Sequence, residues 1–189
     1  MIDFWGSLLL LIILFPVFII ISFLIKLTSS GSIFHFSPRI GKNEKIFLMP
    51  KFRTMTADTP LLPPYVLNNP EKYYTKFGVR LRKYYLDELP QLWTILVGKM
   101  SFIGPRPGLA KYERELDNKR KELNIYHLKP GLTGWAQVNG DGNVPIKTKV
   151  MWDKYYLDNQ SFWLDIRIAI LTLKKYYYDN PHPTSKIDT

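Results

Sequence analysis

The stretch of this sequence best suited to chemistry carries two adjacent carboxylates, Asp87 and Glu88, shortly before Pro90. The pattern predicts a helix over residues 88–97 that begins after Asp87. Both side chains can serve as caps that interact favourably with the helix dipole. Alternatively, the helix N-terminus holds one carboxylate ionised, ready to attack phosphorus or to bind a metal ion.

Basic side chains in two other motifs are candidates for binding substrate phosphates. Lys51 and Arg53 alternate about Phe52 after a predicted strand, which fits either a phosphate clamp or a solvated edge strand with Phe52 in the core. Arg106 stands between two prolines, and Pro107 biases it toward an extended conformation. A guanidinium on so stiff a loop loses little entropy on binding an anion, although a structural turn with an exposed arginine fits as well.

A glycine-rich segment at residues 130–140 contains Trp135, Gln137 and Asn139. Its glycines would let the backbone approach a ligand closely. The segment also fits a β-hairpin with a type I′ turn at Asn139 and Gly140. We predict no histidine-based metal site, because the histidines lack the spacing of metal ligands.

The elements around these motifs indicate an α+β fold, a small and mostly helical domain with short strands and amphipathic surface helices. Partly alternating apolar residues predict one or two strands over residues 34–49. The proline-rich residues 56–73 predict a loop, and residues 109–123 predict a charged helix. The helix predicted over residues 161–178 ends in lysines and tyrosines, which suits either the headgroup layer of a membrane or the protein core.

The apolar residues are concentrated in residues 1–27, which predict a membrane-embedded helix. A helix needs ~20 residues to cross a bilayer core of ~30 Å, and this segment just reaches that length. Pro16 lies at its midpoint and cannot donate to the carbonyl of Ile12, so we expect a break there. A re-entrant helix in one leaflet and a transmembrane span both remain open, whereas Asp3 and the lack of preceding basic residues disfavour a signal peptide.

The composition narrows the class of protein. With no cysteine, the chain has neither disulfides nor a thiol nucleophile. Its net charge of +10 suits a membrane surface, nucleic acid or a phosphorylated substrate. Basic residues follow the apolar segment closely, which suits an anionic cytoplasmic leaflet. We therefore predict a cytoplasmic domain over residues 28–180 and a flexible tail over residues 181–189.

Taken in order, the motifs resemble those of the monotopic phosphoglycosyl transferases in the bacterial sugar transferase family. The resemblance runs from about residue 3 to residue 175, and its motifs are residues 51–55 (KFRTM), 86–92 (LDELPQL), 98–107 (GKMSFIGPRP), 130–140 (PGLTGWAQVNG) and 155–165. It implies a Mg²⁺-dependent transfer of a sugar phosphate from a UDP-sugar to undecaprenyl phosphate, with release of UMP, through a covalent aspartyl–phosphosugar intermediate. The implied location is the cytoplasmic face of the bacterial inner membrane, at the first membrane step of glycoconjugate or exopolysaccharide assembly.

The resemblance also implies roles for individual residues. It makes Asp87 the nucleophile and a metal ligand, with Glu88 as the second catalytic carboxylate. The expected substrate-binding residues, from the motifs and the resemblance together, are Lys51, Arg53, Arg82, Arg106 and Gln137. Asp153 and Asp165 match recurrent acidic positions that would orient the basic residues, and Pro16 matches the break of a re-entrant helix.

Two positions depart from the family pattern. Phe15 precedes Pro16 where the family usually has serine, and Asp141 follows Asn139-Gly140 where the family usually has arginine. Lys147 or Lys149 would be the substitute for that arginine. The alternative function is a non-catalytic basic adaptor at the membrane surface or a nucleic-acid-binding module. We expect no nucleic-acid partner, because no RNA-binding aromatic signature is present.

Overall fold

The computed structural model describes residues 1–60, 62, 66–140 and 144–178, with side chains up to Tyr176. The helices are α1 (Ile2–Thr28), α2 (Lys76–Lys83), α3 (Gln91–Leu96), α4 (Arg114–Glu122), α5 (Trp135–Asn139), α6 (Ile146–Asn159) and α7 (Phe162–Tyr178). The strands are β1 (Phe34–Ile40), β2 (Ile46–Phe52), β3 (Ser101–Ile103) and β4 (Gly131–Thr133), and 3₁₀ turns occur at Lys42–Glu44, Pro70–Tyr73, Leu86–Glu88 and Ile125–His127. The predicted α+β class, mostly helical with short strands, is confirmed.

The N-terminal helix α1 is bent. Its halves, Ile2–Ile13 and Phe15–Thr28, meet at 60°, next to Pro16. The proline has no N–H for the carbonyl one turn earlier, and its ring crowds that carbonyl, so the helix bends there. Phe15, in place of the family's serine, does not prevent this bend. Among the described residues no single helix is long and apolar enough to cross a membrane, whereas the bent pair meets that test by length and composition alone.

Both ends of α1 are fixed to the rest of the domain. At the N-terminal end, Asp3 Oδ1 accepts hydrogen bonds from Ser101 Oγ at 3.0 Å and from the Phe102 N–H at 3.1 Å. At the C-terminal end, Ile21 and Ile25 are buried in a cluster with Phe52 and Leu81. The two ends therefore lie against the same body of protein, on either side of the bend.

The β1–β2 hairpin positions Lys51. The strands pair antiparallel from Phe34↔Phe52 to Ile40↔Ile46. Phe47 and Met49 are buried and pack with Leu92 and Ile95 of α3. Because side chains alternate along a strand, Lys51 shares the face of Phe47 and Met49 and points toward the segment that leads into α3.

A second, parallel pair of strands holds the loop that carries Arg106. Ser101 pairs with Gly131, and Ile103 pairs with Thr133. Beyond the strands, the Gly131 N–H donates to the Pro105 carbonyl at 2.9 Å. A Cβ at Gly131 would lie 2.2 Å from the Gly104 nitrogen, so this close approach requires glycine. The glycine-rich segment therefore serves backbone packing, and the predicted hairpin is wrong because Asn139 ends α5.

Several predicted elements have different boundaries in the structure. The helix predicted over residues 88–97 is a 3₁₀ turn at Leu86–Glu88 followed by α3, so Asp87 lies inside the turn and is no N-cap. The helix predicted from residue 109 begins at Arg114, because Glu113 Oε2 accepts from the Leu109 N–H and closes a turn before it. Within the predicted loop at residues 56–73, the structure has a 3₁₀ turn at Pro70–Tyr73. The sequence patterns missed α2 and α6, and the predicted tail at residues 181–189 lies outside the described residues.

Candidate active site

The structure brings three of the predicted site residues, Lys51, Glu88 and Arg106, into direct contact, with Glu88 between the two cations. Lys51 Nζ and Arg106 Nη2 both donate to Glu88 Oε1, at 2.6 and 2.7 Å. These side chains come from β2, from the loop after β3 and from the 3₁₀ turn at Leu86–Glu88. The two cations outnumber the one carboxylate that they share, so the group keeps a positive charge with which to attract an anion.

The electrostatics of this group keep Glu88 ionised. Burial alone would raise the pKa of Glu88, but Arg106 and Lys51 outweigh burial and hold that pKa well below its usual range. Glu88 in turn raises the pKa of Arg106. Burial lowers the pKa of Lys51, and the neighbouring Arg106 adds to this effect against the opposing pull of Glu88. Lys51 is thus the cation of the group whose charged form burial disfavours.

Asp87 has a different environment, although it precedes Glu88 directly. It is 6% exposed, and no hydrogen bond or ion pair from the described residues reaches its carboxylate. Adjacent side chains of a 3₁₀ helix point about 120° apart, so Asp87 and Glu88 face different neighbours. Burial raises the pKa of Asp87, whereas Lys51, Arg82 and Arg106 act in the opposite direction. The site therefore contains one carboxylate committed to cations and one available to a ligand.

The other predicted cations divide between the site and the scaffold. Arg82, in the last turn of α2, lies over the Tyr74 ring at 4.9 Å and acts electrostatically on Asp87. Arg53 is buried and donates from Nη2 to the carbonyl and hydroxyl oxygens of Ser29, at 3.0 and 2.7 Å. Because β2 ends at Phe52, the alternation that orients Lys51 does not extend to Arg53. Arg53 therefore ties the end of α1 to the sheet and does not share the contact of Lys51 with Glu88. Its binding to substrate stays a prediction.

Arg120 is a site-positioning residue that the sequence patterns missed. Its Nε and Nη2 donate to Asp153 Oδ2 at 2.9 and 2.6 Å, and its Nη1 donates to the backbone carbonyl of Arg106 at 2.8 Å. From the other side of the loop, Arg39 Nη1 donates to the Pro107 carbonyl at 3.0 Å. Asp153 thus acts on the loop of Arg106 through Arg120. Arg120 lies in a helix whose sequence is typical of a solvated surface helix, so no pattern distinguished it.

Two further predicted site residues lie outside this group. Asp165 accepts a hydrogen bond from the Tyr156 hydroxyl at 2.7 Å and joins α7 to α6. Both polar side-chain atoms of Gln137 are buried with no hydrogen-bond partner among the described residues. Gln137 lies beside the Arg106 loop, since a Cβ at Gly134 would meet both its Oε1 and the Gly104 carbonyl. Asp141 lies outside the described residues.

The described residues contain no group of three or more histidine, aspartate or glutamate side chains that could hold a metal ion. Asp87 provides the available carboxylate oxygens. Mg²⁺ is commonly bound through one or two carboxylates together with substrate phosphates and water. The residues present therefore fit a magnesium ion that a phosphorylated ligand helps to hold, and they do not fit a cage made of protein alone.

The sequence that forms this fold belongs to a known family. A family model described as "Bacterial sugar transferase" matches residues 1–179. The chain therefore belongs to the bacterial sugar transferase family, as the motifs predicted.

Three relatives illustrate the similarity. The chain is 39% identical over 155 residues to the "Uncharacterized sugar transferase EpsL" of Bacillus subtilis, covering 80% of this chain and 73% of that protein. It is 37% identical over 186 residues to the "Exopolysaccharide production protein ExoY" of Sinorhizobium fredii, covering 90% and 81%. It is 38% identical over 170 residues to the "UDP-glucose:undecaprenyl-phosphate glucose-1-phosphate transferase" of Xanthomonas campestris, covering 84% of this chain. The match spans only 34% of that Xanthomonas protein.

Proposed function

We propose that this protein transfers a sugar phosphate from a UDP-sugar to undecaprenyl phosphate and releases UMP. The relative from Xanthomonas campestris bears the name of this reaction with glucose. The observation that carries the proposal is the division between two neighbouring carboxylates. Glu88 is bound by Lys51 and Arg106, whereas Asp87 is buried, close to the same cations and paired with none of the described residues. This arrangement suits attack by one carboxylate on a phosphorus atom whose charge the cations neutralise.

The reaction proceeds in two displacements. A carboxylate oxygen of Asp87 bonds to the phosphorus that bears the sugar, and the bond from that phosphorus to the bridging oxygen breaks. UMP leaves with the electron pair of that bond. An oxygen of the lipid phosphate then attacks the same phosphorus and displaces the Asp87 carboxylate, which gives a polyprenyl diphosphate sugar. Lys51 and Arg106 bind the diphosphate and reduce its repulsion of Asp87.

A magnesium ion is part of the proposal. When bound, Mg²⁺ supplies charge neutralisation on the diphosphate beyond what the cationic side chains provide. Asp87 is the protein ligand that fits it, and the ion would take its remaining ligands from the substrate and from water. The protein itself contributes the dry environment of Asp87 and the fixed positions of Lys51 and Arg106.

We further propose that α1 enters and leaves one leaflet of the bacterial inner membrane, with the catalytic domain on the cytoplasmic face. The 60° bend next to Pro16 and the contacts of both helix ends with the same domain support this topology. The halves, with 12 and 14 residues, would reach only ~18 and ~21 Å, and both lengths are short of a bilayer core. Because the chain lacks cysteine, Ile2→Cys can be labelled in sealed, oriented vesicles. Labelling from the cytoplasmic side is expected, and labelling only from outside would show a span.

The reaction is tested by measuring UMP release from a panel of UDP-sugars with undecaprenyl phosphate and Mg²⁺. We expect UMP release with at least one donor, and its absence across the panel would contradict the proposal. Incubation with a donor labelled in its sugar should also leave a sugar phosphate on the protein when the lipid is omitted. The labelled peptide should contain Asp87.

The nucleophile is tested with Asp87→Asn, which keeps the shape of the side chain and removes the charge. We expect turnover to fall at least about 10³-fold, with an unchanged circular dichroism spectrum. Asp158→Asn is the matched control on the exposed side of α6, and it should retain full activity. Near-normal UMP release by Asp87→Asn would exclude Asp87 as the nucleophile.

A further inference from the structure

A cavity of about 280 Å³ lies between α1 and the candidate active site. Two tyrosines, Tyr85 and Tyr176, and the carboxylate of Glu88 form part of its lining. The remaining lining residues are apolar: Leu10, Leu14, Leu89, Leu92, Phe102 and Leu132. The reaction steps described above use none of these apolar side chains.

The cavity joins two chemically different regions. Leu10 and Leu14 bring the apolar surface of α1, just before its bend, to one wall. Glu88 is the only charged residue among the described residues that line the cavity, and its Oε1 holds Lys51 and Arg106. Lys51 and Arg106 do not line the cavity but lie directly beyond this carboxylate. A ligand in the cavity therefore has an apolar body that adjoins α1, and an anionic group attached to that body would lie outside the cavity, next to the two cations.

We propose that this cavity binds the isoprene units next to the phosphate of the acceptor lipid. This inference rests on the proposed function, and it assigns the lipid chain a defined place rather than leaving all of it in the bilayer. A UDP-sugar does not suit the cavity, because its hydroxyl and uracil groups would leave polar atoms unpaired against leucine side chains. Ligand pockets commonly measure ~300–1,000 Å³, so a cavity of this size takes the first part of a long chain and excludes the rest.

Cysteine labelling tests the occupant directly, because the chain has no native cysteine. Leu10→Cys places a thiol on the cavity wall, and Leu9→Cys is the matched control on the adjacent, 58% exposed residue. In detergent, undecaprenyl phosphate should slow maleimide labelling of Leu10→Cys about tenfold at saturation and leave Leu9→Cys unchanged. That factor corresponds to ~90% occupancy of a site that excludes the reagent.

A bilayer acyl chain is the other source of an apolar chain with an anionic head. Dioleoyl phosphatidic acid at the same concentration separates the two sources. We expect it to protect Leu10→Cys much less than undecaprenyl phosphate does. Equal protection by both lipids would overturn the proposal in favour of bulk lipid, and no protection by either would overturn it as well.

A substitution that fills the cavity provides a second, independent test. Leu132→Phe should raise the KM for undecaprenyl phosphate about tenfold, the loss expected when two methylene groups no longer enter an apolar site. The burst of UMP formed without acceptor should stay unchanged, because that half-reaction does not use the cavity. Leu48→Phe, on the exposed face of β2, is the matched control.

Different results would contradict the transferase reaction and the assignment of the cavity to the lipid. If no UDP-sugar yields UMP, the proposed function is wrong, whatever the labelling result. If UMP forms normally and Leu132→Phe leaves the KM for the lipid unchanged while it folds like the parent chain, only the assignment of the cavity is wrong. A Leu132→Phe variant that does not fold shifts the decision to Leu10→Cys, whose protection by lipid is measured on the whole chain.

Discussion

Two buried ion-paired groups in this protein differ in net charge and in exposure to solvent. Glu88 shares one oxygen between Lys51 and Arg106, and 45% of the Arg106 side chain remains exposed. Asp153 is paired with Arg120, and only 5% of the Arg120 side chain and 2% of the Asp153 side chain reach solvent. The first group has an excess cation and an open side, whereas the second is neutral and closed. Only the first can accept an incoming phosphate without first losing its own carboxylate.

The carboxylates respond to burial in opposite directions. Two cations outweigh burial at Glu88 and lower its pKa, whereas at Asp153 burial outweighs Arg120 and the more weakly acting Lys149 and raises the pKa. The folded state therefore gains stability from Glu88 above the ordinary glutamate pKa of about 4.3. Ionised Asp153 carries a net penalty that Arg120 reduces. This comparison suggests that Glu88 organises charge for binding, while Asp153 is kept to hold Arg120 against the Arg106 loop.

Among changes to these buried ion pairs, neutralising Glu88 should have the largest effect on turnover. In Glu88→Gln, Lys51 and Arg106 lose the anion that fixes both of them, so they bind the diphosphate in less favourable positions. We expect kcat to fall about 100-fold or more, in the range found when one fixed electrostatic contact is removed from an active site. Steady-state kinetics of UMP release measures this change in kcat. A kcat within threefold of the parent protein would show that Asp87 needs no organised cations.

Breaking the closed pair should affect stability first and turnover second. Asp153→Asn leaves the Arg120 guanidinium buried without a counter-charge, which typically costs 3–5 kcal/mol. Chemical denaturation measures this loss. Turnover should fall by about tenfold, on the order of what ~1.4 kcal/mol of lost transition-state stabilisation produces, because the Arg106 loop is less well held.

The double variant Arg120→Met with Asp153→Leu separates the two roles of this pair. Replacing a buried ion pair by apolar residues is often neutral or stabilising, so stability should return to about that of the parent protein. Turnover should remain low, since no side chain then donates to the Arg106 carbonyl. Recovery of both properties would mean that the pair has no positioning role.

The same comparison shows what the sequence could and could not predict. Lys51, Glu88 and Arg106 were all named as candidate site residues from the sequence, because they lie in short motifs with several unusual residues each. Their contacts with one another were not predicted, and their roles in the reaction stay predictions. Arg120 was not, because a single arginine in a charged helix gains its role only from the fold, which places α4 beside α6 and the Arg106 loop. The contact of Arg53 with Ser29 was not predicted for a related reason, since the end of β2 at Phe52 depends on tertiary contacts.

In the fold as well, features with a local cause were predictable from the sequence, and features that depend on tertiary contacts were not. The bend at Pro16 was predictable from the missing N–H of proline, a purely local cause. Helix α6 was missed, because its apolar residues do not follow a clear helical period and its inward face includes the charged Asp153. The 3₁₀ turn that holds Asp87 and Glu88 was read as the start of a longer helix. Tyr85, which precedes it with a φ of 53°, imposes a turn that tertiary packing selects.

Replacing Lys51 by arginine should change how turnover depends on pH. Burial lowers the pKa of Lys51, so in the parent protein turnover should decline at alkaline pH as this ammonium loses its proton. In Lys51→Arg the guanidinium stays charged, and that alkaline decline should vanish, with a few-fold lower kcat because the geometry differs. Both proteins should lose activity on acidification, as Asp87, whose pKa burial raises, becomes protonated. Profiles of kcat/KM against pH that coincide on the alkaline side would exclude Lys51 as the titrating group.

A partly exposed ion pair gives the smallest expected effect and serves as a reference for the two buried groups. Lys154 and Asp158 pair one turn apart on α6, with 34% and 51% of their side chains exposed. Solvent screens such a pair, and its contribution is typically below ~0.5 kcal/mol. Asp158→Asn should therefore change the free energy of unfolding by less than that, measured by denaturation beside Asp153→Asn on the same helix. A loss comparable to that of Asp153→Asn would mean that burial does not explain the difference between the two pairs.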